Sequence, residues 1–150
     1  MLDIFVDADG CPVKQEVVRV ARRHGLKVTL VSNSRIHVPR GERIEGVVVK
    51  GDFNAADDWI ADHVAPGDIV VSNDIPLASR CLAKGAAVLT PAGHVYTEEN
   101  IGEALAHRNL MSQLREMGAM TGGPAPFQAR DRSRFLQRLD EIVRATRRNG

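Results

Sequence analysis

Aromatic residues make up only 4% of this 150-residue chain: four Phe, one Trp and one Tyr. So thin a supply excludes an aromatic platform on which the bases of single-stranded nucleic acid would stack. Cysteine is just as scarce. Cys11 and Cys81 have no CxxC spacing and no companion His cluster, which argues against zinc and leaves two free thiols, as in a reducing compartment. No apolar run approaches the length of a membrane span, and Met1 leads straight into an acidic strand without a basic leader. No membrane association is expected, and a cytoplasmic location is.

An excess of charge of either sign is also missing, since 20 Lys/Arg against 19 Asp/Glu leave a net charge of +1. The balance conceals an asymmetry: residues 1–100 hold 11 basic and 14 acidic side chains, residues 101–150 hold 9 and 5. Seven arginines fall between Arg130 and Arg148. They suit either a polyanion or a solvated helix face. Length and a 43% hydrophobic content are those of one globular domain with a full core, so a single domain over residues 1–150 is expected.

Apolar runs alternate with helical patterns in a βαβα rhythm. That rhythm predicts an α/β fold, a three-layer α/β/α sandwich with a mainly parallel sheet. Strands are predicted at residues 2–6, 26–31, 45–49, 69–72 and 87–89. Helices are predicted from near Pro12 to just before Gly25, from Ala55 onward, from Pro76 to Lys84, and over 98–117 and 131–146. Between the last two, residues 118–127 are too rich in Gly and Pro to be regular. They form either a linker or a loop whose Thr121-Gly122-Gly123 backbone N–H groups approach a phosphate.

The run Ile4-Phe5-Val6-Asp7-Ala8-Asp9-Gly10 reads as a buried strand that delivers two carboxylates into a tight turn. Crowded, desolvated like charges raise one another's free energy, and a divalent cation removes that cost. The plainer alternative is a turn at Asp9-Gly10 with a helix cap and a solvated Asp7. In a parallel sheet, ligands bind outside the carboxyl ends of the strands. Asp7 and Asp9, then Ser32 and Asn33, then Asp52, Asp57 and Asp58, then Asp74 all follow successive strands to that edge. Oxygen ligands without His or thiol suit Mg²⁺ or Mn²⁺ rather than Zn²⁺.

The segments Asp7-Ala8-Asp9-Gly10-Cys11-Pro12-Val13-Lys14, Ala55-Ala56-Asp57-Asp58-Trp59-Ile60, Asp74-Ile75-Pro76-Leu77-Ala78 and Thr121-Gly122-Gly123-Pro124, with Phe127 and Asp131-Arg132, resemble the bacterial YaiI/YqxD family over nearly the whole chain. The resemblance implies a PIN-like fold, shared by many metal-dependent ribonucleases and flap-type nucleases. Activity is implied only through that wider superfamily. Carried over, the acids of the site are Asp7, Asp9, Asp58 and Asp74, with Asp57 a further metal ligand. Lys14, Asn33, Arg35, Arg80, Arg132 and the Thr121-Gly122-Gly123 loop are candidates for substrate contact. The Cys11-Pro12 turn and the Thr-Gly-Gly-Pro loop depart from ordinary PIN domains.

Three functions are thus expected in competition. The first is a Mg²⁺- or Mn²⁺-dependent nuclease acting on RNA in preference to DNA; the second is a PIN-like module that binds metal or RNA without cutting. The third is a phosphatase of the haloacid dehalogenase type, with Asp7 as nucleophile and Asp9 as general acid. Against the third, no Thr or Val follows the second acid where that superfamily needs one.

Overall fold

A computed structural model describes residues 2–52, 54–118 and 126–149, with side chains through Arg147. The Thr121-Gly122-Gly123 candidates lie outside the described residues. Chain order is β1 (Asp3–Asp7), α1 (Lys14–His24), β2 (Lys27–Ser32), β3 (Ile44–Val48), α2 (Ala55–His63), β4 (Ile69–Val71), α3 (Ile75–Ala83), β5 (Ala87–Leu89), β6 (Val95–Tyr96), α4 (Ile101–Glu116) and α5 (Ala129–Asn149). One six-stranded sheet runs in the order β3-β2-β1-β4-β5-β6, parallel except for the β5–β6 pair. Helices cover both faces, so the fold is the expected three-layer α/β/α sandwich.

The two cores follow from strand alternation. Ile4, Val6, Val28, Leu30, Ile69 and Val71 point to one side, where α1 contributes Val17, Val20 and Ala21 and α5 contributes Phe135, Leu139 and Val143. Phe5, Val31, Val70 and Val88 point to the other, against Ala56 and Ile60 of α2 and Leu77, Ala78 and Cys81 of α3. Strands buried on both faces read as continuous apolar runs, which is why they were legible in the sequence. Cys11 and Cys81 are free and buried; burial first of all pushes both thiols up, Cys81 to about 11. Among the described residues no helix is long and apolar enough to cross a membrane.

Three elements depart from the predicted ones. β6 was absent from the prediction because two residues carry no period. It forms where Thr90-Pro91-Ala92-Gly93 reverses the chain, with the His94 N–H donating to Thr90 Oγ1 at 3.1 Å. Gly93 has φ +89 and lies against α5 so closely that a Cβ would stand 2.9 Å from the backbone of Arg134 and Phe135. α4 starts at Ile101 rather than residue 98, because Thr97 and Asn100 bond each other reciprocally, Asn100 Oδ1 accepting at 2.8 Å and Thr97 Oγ1 at 3.1 Å. α1 begins at Lys14, two residues after Pro12.

The two faces predict unequal responses to truncation. Phe135 is fully buried, so Phe135→Ala is expected to cost about 3–5 kcal/mol in urea unfolding. Leu110 on α4 is half exposed, and Leu110→Ala is expected to stay within about 0.5 kcal/mol of the parent.

Candidate functional site

Strand alternation decides which way Asp7 faces. Val6 packs on the α1/α5 side, so Asp7 turns toward α2 and α3; Val71 does the same in β4, so Ser72 turns with it. The β1–β4 register pairs Val6 with Val71, which brings Asp7 next to Ser72, and the Ser72 hydroxyl donates to Asp7 Oδ2 at 3.0 Å. That hydroxyl oxygen also accepts from the Asp74 N–H at 3.0 Å. Asp74 in turn caps α3, accepting from the Leu77 N–H at 2.8 Å. Asp57, in the first turn of α2, completes the group by hydrogen-bonding the Asp74 side chain. The three carboxylates meet where β1 separates β2 from β4 and the strand order reverses, the place at which open α/β sheets bind ligands.

Their electrostatics are those of crowded acids. Burial, followed by the charges of Asp74 and Asp7 and the bond to Asp74, pushes Asp57 up to about 7. Asp7 is also raised, chiefly by burial, with the Ser72 hydroxyl opposing and the Asp74 and Asp9 charges adding to the rise. Near neutrality the group therefore holds a proton that Asp57 donates to Asp74. A cleft of about 350 Å³ opens beside it, lined by Asp57, Asp58, Asp74, Arg80 and Arg108 among others. Among the described residues no three His, Cys, Asp or Glu side chains are arranged to ligate one metal ion as they stand.

Comparison with known proteins matches residues 5–145 to the model of the uncharacterised YaiI/YqxD family. The chain belongs to this family. A UPF0178 protein of Rhodospirillum centenum is 57% identical over 152 residues, spanning 99% of both chains. UPF0178 proteins of Brucella ovis and Brucella canis are 56% and 55% identical over 148 residues, spanning 98% of this chain and 92% of each relative. No solved structure matches significantly.

The remaining candidates of this YaiI/YqxD chain fall into other places. Asp9 is held by the end of β2. Its carboxylate accepts from Ser32 Oγ at 2.7 Å, the Asn33 N–H at 2.8 Å and Ser34 Oγ at 3.2 Å. Burial pulls Asp9 upward, but those bonds and the Lys14 charge outweigh it and leave the carboxyl below its usual range. The turn that allows this needs Gly10, at φ +69. Asn33 passes the constraint on, because its Oδ1 accepts from the Ala56 N–H at 3.1 Å and so anchors the start of α2 next to Asp57.

Asp58 lines the same cleft but stands in an exposed ion pair with Arg80 at 2.7 Å. Lys14 Nζ donates to the Ala8 carbonyl at 3.1 Å. Arg35 is exposed on the connection after β2. Arg132 donates to the Pro12 carbonyl at 3.0 Å, pairs with Glu16 at 2.9 Å and lies 5.1 Å from the centre of the Phe127 ring. Sequence reasoning missed Ser72, whose only signal is a hydroxyl directly after a buried strand. It missed Arg108 as well, for which α4 offered no signal.

Two outcomes follow from these contacts. Asp57 keeps its proton to higher pH when folded than the ~3.9 of an unfolded Asp, so the stability it contributes falls as pH rises from about 4 to 7. Asp57→Asn retains a donor toward Asp74 and is expected to gain about 1–2 kcal/mol over the parent on going from about pH 5 to pH 8, once solvent screening is discounted. A difference that stays constant across this range in paired denaturation curves would place the proton elsewhere. Asp9→Ala strands three donors and is expected to cost about 1–3 kcal/mol, with faster amide exchange at the start of α2.

Proposed function

We propose that this chain is a divalent-cation-dependent nuclease that hydrolyses phosphodiester bonds, with RNA rather than DNA as substrate. The observation that carries this proposal is the Asp7–Asp57–Asp74 group at the point where the strand order reverses. Three carboxylates there raise one another's energy, and Asp7 and Asp57 both hold their protons above the usual range. A hard cation relieves that repulsion, and its donors would be oxygens alone. Mg²⁺ keeps several waters and needs only one or two protein carboxylates plus substrate phosphate, so the hydrogen-bonded Asp57–Asp74 pair with Asp7 beside it fits such an ion. When bound, the ion would activate water and stabilise the leaving oxygen.

The chain's own groups supply the rest. Ser72 orients Asp7 and the start of α3, and the Asp9–Asn33 relay fixes the start of α2. Arg80, paired with Asp58, and Arg108 line the adjoining cleft and would contact a substrate phosphate there. The choice of RNA rests on the resemblance to PIN-like ribonucleases.

A module that binds metal or RNA without cutting would use the same carboxylates and arginines. The lowered carboxyl of Asp9 counts against the phosphatase, since a group held ionised at neutral pH is a poor proton donor to a leaving oxygen.

With Mn²⁺ and end-labelled single-stranded RNA or DNA, the protein is expected to cleave RNA faster than DNA. Asp7→Asn and Asp74→Asn are each expected to lower the rate by roughly a hundredfold or more, the scale of losing an electrostatic group in an active site. Cleavage that survives both substitutions refutes the site. A Mn²⁺-dependent rise in thermal stability without cleavage supports the binding module, and turnover of p-nitrophenyl phosphate alone supports the phosphatase.

A further inference from the structure

Residues 14–43 carry eight Lys or Arg against two Glu. Part of this block meets between α1 and the connection that follows β2. The connection from β2 to β3 has no helix and crosses on the α1 side of the sheet, where Ile36 and Val38 pack against the core. Arg22 fastens it to α1 by donating to the Arg40 carbonyl. Between helix and connection lies a cleft of about 420 Å³, lined by Gln15, Val18, Arg19, Arg22, His37 and Pro39. No acid lines it. Of the two glutamates in the block, Glu16 is buried and paired with Arg132, and Glu42 lines a different cleft together with Asp3 and Lys27.

Several basic side chains stand in ion pairs, some of them within this block. On α5, the helix whose arginines first suggested a polyanion, Arg132, Arg134, Arg138 and Arg144 all stand in ion pairs. Arg80, Arg23 and Lys27 are paired too. Arg19 and Arg22 make no ion pair among the described residues. The two elements that bound the cleft both start at the carboxyl edge of the sheet: Lys14, before Gln15, bonds the Ala8 carbonyl, and Ser34 bonds Asp9. Arg19 and Arg22 follow one and two helical turns further on, about 6 and 10 Å along α1 from Gln15.

We infer that this groove between α1 and the β2–β3 connection carries the phosphodiester backbone of a nucleic-acid strand that reaches the acidic edge. The class of ligand rests on the nuclease function proposed above; the location rests on the unpaired cations and the cleft. Apart from the His37 imidazole no aromatic ring among the described residues lines the groove, so it grips phosphates and not bases. Binding is accordingly indifferent to sequence and steeply dependent on salt.

Anisotropy of a fluorescein-labelled oligouridylate, titrated with the full chain in EDTA over a salt series, reads binding apart from cleavage. Arg19→Glu with Arg22→Glu is expected to weaken binding at least tenfold at about 0.1 M salt. It should also flatten the slope of log affinity against log salt by about 1.4, the value for two phosphate contacts on a single strand. Arg19→Glu alone disturbs no hydrogen bond, so the fold survives, and about half that change in slope is expected. Arg138→Glu with Arg144→Glu on α5 should leave binding unaltered. No binding by the parent, parental affinity and slope in the groove variants, or an equal loss in the α5 variant would each overturn the inference. Groove-dependent binding without Mn²⁺-dependent cleavage upholds the groove and refutes the nuclease. Cleavage that ignores the groove substitutions does the reverse.

Discussion

The pairing of β1 with β4 is the constraint on which the rest of the site depends. Because the chain returns to pair β4 on the side of β1 opposite β2, the sheet has a point of reversal. The parallel register there places Asp7 beside Ser72. Apolar burial sets that register: Ile4, Val6, Ile69 and Val71 must face one core, Phe5 and Val70 the other. A slip by one residue would turn every side chain to the wrong face and take Asp7 with them. The site's geometry is thus secured by packing energy that has nothing to do with its chemistry.

Given that frame, three carboxylates are forced together at a cost. The chain meets part of it with a shared proton between Asp57 and Asp74 and part with hydroxyl and amide donors on Asp7 and Asp74. The same logic separates Asp9 from its neighbours. Saturated with donors, it lost its proton cheaply and became a structural clamp between the β1 turn, the end of β2 and, through Asn33, the start of α2.

The arginines divide along similar lines. On α5 four of them are drawn into pairs: Arg134, Arg138 and Arg144 with acids of the same helix, and Arg132 with Glu16 of α1, which helps fasten the two helices together. On α1, Arg23 pairs with Asp140, whereas Arg19 and Arg22 make no ion pair among the described residues. A net charge of +1 thus resolves into a negative sheet edge beside a positive groove.

The sequence by itself determined the layer architecture, all five helices to within two or three residues at the ends the patterns defined, the five longer strands to within about one residue, and the family. Each of those rests on local signals: apolar runs of strand length, helical periodicity, caps and short motifs. It also brought Asp7, Asp57 and Asp74 to one edge along with Asp9 and Asp58. Only the tertiary structure decided which acids meet. Adjacent residues in a helix point about 100° apart, so Asp57 enters the group while Asp58 leaves it for Arg80, and no pattern in the sequence states where that rotation begins. β6, Ser72, Arg108 and the groove at Arg19 and Arg22 were hidden for the same reason. Their partners lie on elements far away in sequence, and only packing sets the distance between them.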